Sequence, residues 1–556
     1  MASSTQRPAL GWRVALVAWL AYAGLTLQLL SPALSGPIVS DDVLLFVGQR
    51  HMEGLSLENM KTILDPTGEP VRVTANWAPV HLLAHQLEFE AFGSPLEDPR
   101  PYHLVNGLVH ALAALLFAAL LVAQGVPQVL ALLAGLLFLV HPANAETAAW
   151  IFQLKTLLAL SFGFGALLAL RARPLLATGL FGLALLCKPS ASAVLPAAIV
   201  FEWLRVPGPG EPARRTPWLW GWGALLLLYA LPEFSAFSHI GEFRGDLPLG
   251  ERLLQVVAIV GRYLVLSVSS LGSSTFHQPT PPASPFDAWF GLGVLTLLGF
   301  ALAGEGALRG RRLAAGWLGL AAAAYLPVAQ LFPFRYPMAD RYLYFVLPGL
   351  LGAVAVTLGP WLARSLEAVH VRGWRAASAG LLALALVGSA LCAGFALRFH
   401  QRAAVWGSPG RVEADTASHY PDGIHGQIVL ARRRISAGDL DGAIDAIERA
   451  RARGHSSPSA FLYDPTFQRL LQEPRYIALL QSMTEAWLVR ARGLPPRSSS
   501  DWLGIGQAEL FMGRIDHARE AFEHGLTLAG PTERSGVQQM LSELGRIEAA
   551  AEAPTP

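Results

Sequence analysis

The chain has 556 residues, of which 53% are hydrophobic and only 15% are charged, and its mean hydropathy is +0.40. This composition excludes an ordinary soluble protein and favours a multi-span membrane protein with a polar appendage. The net charge of +2 gives no large excess of basic residues, so no nucleic-acid partner is expected. The only cysteines, Cys187 and Cys392, lie in apolar runs, which excludes a disulfide framework and a cysteine metal site.

Eleven apolar stretches are long enough to span a membrane, or nearly so. They are residues 10–31, 104–124, 126–140, 150–170, 174–187, 190–204, 217–232, 286–304, 313–331, 340–358 and 376–397. The apolar helix predicted in the first stretch, Val14–Leu30, is preceded by Arg13, and no clear cleavage site comes after it. It is therefore interpreted as a retained anchor rather than a removed signal peptide.

Arginine clusters mark the connections that are expected on the cytoplasmic side. They are Arg13, Arg171/Arg173, Arg205/Arg214/Arg215, Arg309/Arg311/Arg312 and Arg364/Arg372/Arg375. Residues 251–271 are also apolar enough to span, but a span there would turn the 309–312 cluster outward. Arg252 and Arg262 favour an interfacial or re-entrant helix instead. We therefore predict eleven spans, a cytoplasmic N-terminus and an extracytoplasmic tail, with twelve spans and a cytoplasmic tail as the alternative.

Polar residues of the hydrophobic part gather on the predicted outer face. The set contains Asp41, Asp42, His141, Glu146, Lys188, Arg335, Arg341 and Tyr342. Taken singly, each residue is also explained as an ordinary loop residue or an interfacial anchor. Their convergence on one face is the arrangement expected of an enzyme that acts on a membrane-embedded substrate.

Three polar residues share one stripe of the second span. His103, Asn106 and His110 stand at i, i+3 and i+7, on the same helical face. Two histidines could ligate a metal, but no third ligand is close in sequence, so a hydrogen-bonded polar seam between helices is favoured. No cofactor is firmly implied, and a divalent metal, although conceivable, has no ligand set to support it.

From about Arg402 the sequence becomes polar with helical periodicity. Trp502, Gly506, Ala518 and Phe522 have the offsets 0, 4, 16 and 20 of a tetratricopeptide repeat, in which small residues let two helices touch. We predict an all-α protein with a polytopic membrane domain over 1–400 and a soluble helical domain over 401–556. The tail is either a concave binding platform or a helical cap that stabilises only itself.

The motifs of the membrane part, taken in order, resemble those of a known family. They are Val39-Ser40-Asp41-Asp42, Trp77-Ala-Pro79, Phe92-Gly93, Tyr102-His103-Leu-Val-Asn106 with His110, His141-Pro142-Ala-Asn-Ala-Glu146 with Trp150-Ile, and Asp340-Arg341-Tyr342-Leu-Tyr344. With the tail, this set resembles the GT-C integral-membrane glycosyltransferases, specifically the transmembrane O-mannosyltransferases with tetratricopeptide repeats and their bacterial relatives. Gln153-Leu-Lys155 and Lys188-Pro189 depart from the family pattern, which bears on donor and acceptor more than on fold.

The resemblance implies transfer of a sugar from a polyprenyl-phosphate donor to an acceptor hydroxyl, on a protein or a glycan, at the outer face of a bacterial inner membrane. Asp42 or Asp41 would be the general base. Asp42 is favoured because a helix over 42–54 would place it on one stripe with Leu45, Phe46 and Gln49.

The resemblance also implies roles for the other site residues. Glu146 would orient the acceptor or the base, and His103, Asn106, His110 and His141 would contact the acceptor or form the polar seam. The donor phosphate would be bound by Lys188, Arg335, Arg341 and Tyr342. The alternative is a non-catalytic, membrane-bound tetratricopeptide assembly factor or a lipid or glycan transport factor.

Overall fold

The architecture is taken from a computed structural model of the chain. It describes residues 9–47, 49–74, 76–203, 216–238, 248–330, 336–372, 379–493, 499–529 and 531–552. Within these ranges the secondary structure is helical, and no strand forms beyond an isolated antiparallel bridge between His277 and Met338. The predicted all-α class is confirmed.

The described ranges contain twenty-five α-helices. Those before the polar tail are α1 (Trp12–Leu30), α2 (Asp41–Phe46), α3 (Leu57–Leu64), α4 (Glu69–Thr74), α5 (Pro79–Phe92), α6 (Arg100–Ala123), α7 (Gln128–Val140), α8 (Ala145–Ala149), α9 (Leu154–Ala169), α10 (Pro174–Leu185), α11 (Val194–Trp203), α12 (Thr216–Ser238), α13 (Leu249–Ser269), α14 (Ala288–Gly310), α15 (Arg312–Tyr325), α16 (Val346–Arg372) and α17 (Ala379–Val405). The tail contains α18 (Pro409–His419), α19 (Ile424–Ser436), α20 (Leu440–Ala452), α21 (Ser459–Tyr463), α22 (Pro474–Arg492), α23 (Ser499–Phe511), α24 (Ile515–Leu528) and α25 (Pro531–Glu552).

Seven helical segments of the described chain are long and apolar enough to cross a membrane, or eight if the bent pair Gln128–Val140 and Pro142–Ala149 is one span. The seven are Trp12–Leu30, Arg100–Ala123, Ile151–Ala169, Leu249–Ser269, Ala288–Gly310, Asp340–Val371 and Ala379–Val405. Pro174–Leu185 and Arg312–Val328 are shorter apolar segments. These segments fit a multi-pass membrane protein, as the composition indicated.

Helix ends meet at two opposite ends of one bundle. At the end that holds Asp42 and Glu146, which we call the site end, a Glu233 carboxylate oxygen in α12 accepts a hydrogen bond from the Trp77 backbone N–H at 2.8 Å. The carbonyl oxygen of Ser267 in α13 contacts His141 Nε2 at 3.1 Å. Helices α12 and α13 therefore both finish at the site end.

The opposite end of the bundle carries its own polar contacts. Trp317 of α15 donates a hydrogen bond from Nε1 to the Gln124 side chain, which follows α6, at 2.7 Å. Arg171, which follows α9, forms a 2.7 Å ion pair with Glu202 of α11. Helices α6 and α9 therefore run from the site end to the opposite end, and α10 returns.

Small residues let the membrane helices pack closely, which is the usual source of helix association in lipid. A Cβ atom added to Gly293 of α14 would lie only 1.9 Å from the Val257 carbonyl oxygen of α13. A Cβ atom on Gly352 of α16 would lie 2.3 Å from the Trp317 ring of α15. One continuous buried core extends from Tyr22 to Val412.

The polar tail folds into paired helices. Glycines with positive φ, Gly438 at 83° and Gly513 at 73°, make the turns between α19 and α20 and between α23 and α24. A Cβ atom on Gly506 would lie 2.3 Å from the Phe522 ring, so the small residue allows the close approach that the spacing predicts. The predicted boundary after residue 400 lies inside α17, and a separate core begins only at Ile424.

Candidate functional site

A strained turn presents the acidic pair at the site end. Ser40 has φ 54° and ψ −123°, a conformation that glycine adopts far more readily than serine. The Asp42 backbone N–H closes the turn by donating to the Val39 carbonyl at 3.1 Å. Helix α2 begins at Asp41 and ends at Phe46, so it is much shorter than the predicted helix over 42–54. Strain of this kind concentrates at functional sites.

Asp42 is sealed inside this turn, with 1% of its surface exposed. Its Oδ2 accepts the Val39 N–H at 3.0 Å, and its Oδ1 accepts the Phe152 N–H at 2.8 Å. Burial raises the pKa of Asp42 to about 7, and the charge of Asp41 acts in the same direction, although the two backbone donors oppose it. Both carboxylate oxygens are therefore occupied by the backbone.

Asp41 has the opposite environment. Its side chain is partly exposed, and within the described residues it accepts one hydrogen bond, from the Ser40 hydroxyl at 3.4 Å. It lies close enough to Lys155 and Arg341 for their charges to interact. A general base must first reach the proton that it removes, and the geometry therefore favours Asp41 over Asp42.

Glu146 and Arg341 form a buried ion pair beside the acidic turn. Glu146 accepts the Arg341 guanidinium at 2.5 Å with Oε1 and the Arg341 backbone N–H at 3.0 Å with Oε2. The guanidinium carbon also lies 5.3 Å from the Trp150 ring centroid and 5.2 Å from that of Tyr342. Glu146 is 3% exposed, and both of its carboxylate oxygens contact Arg341, so it holds Arg341 in place.

Two lysines complete a cluster of cations. Lys188 donates from Nζ to the Thr156 hydroxyl at 2.7 Å, and Lys155 Nζ lies 3.8 Å from the Phe152 ring centroid. Among the described residues, neither ammonium forms an ion pair with a carboxylate. Burial, together with the charges of Lys155 and Arg341, lowers the pKa of Lys188 well below its usual value. Cations gathered in this way suit an anionic group such as phosphate.

The polar stripe of α6 holds backbone groups of neighbouring segments. His103 Nε2 contacts a first-loop carbonyl at 3.2 Å, and Asn106 donates to the Trp150 carbonyl at 2.9 Å. His110 lies between the Tyr344 hydroxyl at 2.8 Å and the Leu139 carbonyl at 3.0 Å. These contacts join α6 to neighbouring segments, and contact of these side chains with an acceptor stays a prediction.

His141 also binds backbone groups. Besides its Ser267 contact, its Nδ1 accepts the Ala143 N–H at 3.3 Å. Within the described ranges, no three His, Cys, Asp or Glu side chains are grouped as a metal site. Arg335, predicted to bind phosphate, lies outside the described residues.

Sequence reasoning missed a buried stripe on α5. His81, His85 and Glu88 stand at i, i+4 and i+7, a spacing visible in the sequence. His85 Nδ1 contacts the Glu88 carboxylate at 2.5 Å, and the two imidazole rings lie 4.6 Å apart. Burial, with His85 and the nearby lysines adding to it, lowers the pKa of His81 well below its usual value. The His81 ring packs against the Phe152 ring, with 5.5 Å between the two ring centroids.

No protein-family model and no curated protein matches this sequence. The family resemblance of the motifs therefore stays a prediction.

Proposed function

We propose that the protein is an integral-membrane glycosyltransferase that moves a sugar from a polyprenyl-phosphate donor to an acceptor hydroxyl. The observation that carries the proposal is the cluster of Lys155, Lys188 and Arg341 beside the partly exposed Asp41. It lies at one end of an apolar bundle. A donor with a lipid chain and a phosphate head needs cationic groups at such a position, with its chain in lipid.

The proposed reaction divides the work among these groups. Asp41 accepts the proton of the acceptor hydroxyl as the oxygen attacks the anomeric carbon of the sugar. The bond between that carbon and the phosphate oxygen breaks, and the phosphate leaves with the electron pair. Lys155, Lys188 and Arg341 stabilise the charge that develops on the phosphate. Tyr342 and Arg335 remain predicted donor contacts.

Asp42 and Glu146 take supporting parts in this scheme. Asp42 fixes the turn that aims Asp41, because its oxygens bind the backbone of Val39 and Phe152. Glu146 fixes Arg341 by its side chain and its backbone N–H. The sequence favoured Asp42 as the base, whereas the proposal assigns this role to Asp41.

The proposed topology has eleven crossings, a cytoplasmic N-terminus and a periplasmic tail in a bacterial inner membrane. Its support is that α12 and α13 both finish at the site end, so α13 need not cross the membrane. Arginines also gather at the opposite end, where Arg171 pairs with Glu202 and Arg311 donates to the Thr357 carbonyl at 3.1 Å. The positive-inside rule makes that end cytoplasmic.

The proposed architecture is a GT-C-like membrane domain followed by a tetratricopeptide-like domain that presents an acceptor protein or glycan to the site. The order of the motifs in the sequence supports the first part. The close approach of Gly506 and Phe522 in α23 and α24 supports the second.

The test is transfer by the purified full chain from labelled polyprenyl-phosphate sugars to candidate acceptors. We expect Asp41→Asn to lower transfer by about 10²–10⁴-fold without loss of polyprenyl-phosphate binding. Asp98→Asn is the matched control, because Asp98 is partly exposed and, among the described residues, its carboxylate pairs with Arg100, the first residue of α6. If the chain binds polyprenyl phosphate but transfers no sugar with any donor, the alternative of a non-catalytic lipid or glycan transport factor replaces the proposal.

A further inference from the structure

The start of the polar tail is docked on the site end by buried side chains. The Thr275 backbone N–H donates to the Asp415 carboxylate of α18 at 2.9 Å, and the Thr275 hydroxyl lies 2.6 Å from that of Thr416. Arg402, near the end of α17, clamps the same Asp415 with two hydrogen bonds of 2.5 and 3.0 Å. Helix α18 is therefore fixed to the segment that joins α13 to α14.

Tyr420, His277 and Asp340 form a chain of hydrogen bonds from the tail to the site. His277 Nε2 lies 2.7 Å from the Asp340 carboxylate, and His277 Nδ1 lies 2.8 Å from the Tyr420 hydroxyl. A carboxylate only accepts, so Nε2 carries the proton, and in the neutral ring Nδ1 accepts from Tyr420. His277 and Asp340 are both almost fully buried, which makes each lost partner costly.

Asp340, the last member of this series of hydrogen bonds, directly precedes the proposed phosphate-binding residue Arg341 in the sequence. Asp340 opens the 3₁₀ turn Asp340–Tyr344, and Arg341 is the next residue. Because Glu146 binds both the backbone N–H and the guanidinium of Arg341, the placement of this turn decides where the guanidinium lies. A constraint on Asp340 is therefore a constraint on Arg341.

A ring stack reaches Arg341 independently of the hydrogen-bonded chain. Trp406, which follows α17, stacks on Trp150 with 5.0 Å between ring centroids and 18° between planes. The Arg341 guanidinium lies on the same Trp150 ring. The backbone after Trp406 packs tightly against the segment that follows α1, since a Cβ atom on Gly407 would lie 2.6 Å from the Pro32 carbonyl oxygen. The tail thus contacts the Arg341 site by two routes.

We propose that Tyr420 and His277 are positioning residues for Arg341, so that the docked start of the tail is part of the anion-binding apparatus. The tail on this view does more than carry an acceptor, because its first helices set the geometry of the cation cluster. The expected effect of Tyr420 on phosphate binding rests on the proposed function, whereas the structural coupling between Tyr420 and Arg341 does not.

The test compares Tyr420→Phe with Tyr476→Phe in the full chain reconstituted in nanodiscs. Tyr476 is the matched control because its buried hydroxyl donates to the Phe461 carbonyl within the tail's own core, at 3.1 Å. Hydrogen exchange of residues 338–345 should quicken in Tyr420→Phe and in a second variant, His277→Gln, and stay unchanged in Tyr476→Phe. Unchanged exchange in both Tyr420→Phe and His277→Gln would overturn the inference.

Affinity for sugar-free polyprenyl phosphate shows whether Tyr420 acts through Arg341. We expect Tyr420→Phe to weaken binding about threefold to tenfold, the usual effect of one hydrogen bond. The variant Arg341→Lys/Tyr420→Phe should bind as weakly as Arg341→Lys alone, because residues that act through one another are not additive. Additive losses would overturn the inference. If the unmodified chain binds no polyprenyl phosphate, the proposed function fails, and the exchange result alone decides the coupling.

Discussion

Asp42 accepts the backbone N–H of Phe152, 110 residues further along the chain, at 2.8 Å. This contact ties the strained first-loop turn to the segment that carries Lys155. The Trp150 ring adds a parallel tie, because its Nε1–H donates to the Val39 carbonyl at 3.2 Å. Hydrogen bonds to the backbone therefore fix the position of the acidic pair relative to the cation cluster.

The first prediction separates the two acidic neighbours. Asp41→Asn should lower transfer by about 10²–10⁴-fold with unchanged thermal stability, since it removes the proposed general base. Asp42→Asn should lower the free energy of unfolding by about 1–3 kcal/mol, because the amide NH₂ would face one of the two backbone donors. Transfer assays and thermal unfolding in detergent measure both effects. A stable but inactive Asp42→Asn protein would instead identify Asp42 as the base.

The second prediction concerns the backbone at Ser40. Ser40→Val should destabilise the protein by about 1–3 kcal/mol, because a β-branched residue is poorly accommodated at φ 54°. Ser40→Gly is the matched control and should retain stability, since glycine adopts this conformation freely. Thermal unfolding of the two variants provides the comparison. Equal stability would show that the turn relaxes without cost.

The third prediction is a pH dependence that follows from Asp42. Its pKa is raised from 3.8 to about 7, so between these values the folded protein retains a proton that the unfolded chain releases. The free energy of unfolding should therefore fall as pH rises from about 4 to 7, by up to about 1.4 kcal/mol per pH unit. Asp42→Asn should remove this slope. A flat profile in the unmodified protein would mean that the Val39 and Phe152 donors keep Asp42 ionised.

The sequence predicted those features that depend on local spacing. The membrane helices lie close to the apolar stretches, and the side chains of His103, Asn106 and His110 all contact carbonyl groups of neighbouring segments. The contact of Gly506 with Phe522 likewise follows from residues only sixteen positions apart. Periodicity carries this information because a regular helix fixes which side chains share a face.

Features that depend on distant contacts could not be read in the same way. The predicted helix over 42–54 ends at Phe46, because Val47 is extended. The structural task of Asp42 depends on Phe152, and that of Asp340 depends on His277 and, through it, Tyr420. Hydrogen bonds between such separated residues leave no periodic signal, so sequence reasoning could only note that the carboxylates exist.

The fourth prediction concerns Lys188. Lys188→Met should preserve folding, because the ammonium has no carboxylate partner in the described part of the chain, but weaken polyprenyl-phosphate binding about tenfold or more. Binding to the unmodified protein should also weaken as pH rises, since a lysine with a lowered pKa loses its charge earlier. Lys61→Met, in the first-loop helix α3, is the control. Unchanged affinity in Lys188→Met would leave Lys188 as an interfacial anchor only.

The last prediction tests the orientation on which the site depends. Both natural cysteines are replaced by alanine, and single cysteines are introduced at Arg453 in the tail or at Arg309 at the end of α14, both exposed positions. In right-side-out spheroplasts, a membrane-impermeant maleimide should label Arg453→Cys directly and Arg309→Cys only after permeabilisation. The reason is that α12 and α13 finish at the same end of the bundle, which keeps the tail on the side of Asp41. The reverse pattern would contradict the proposed orientation. It would mean either that α13 crosses the membrane and separates the tail from Asp41, or that the whole bundle is inverted and the tail and the proposed site both lie in the cytoplasm.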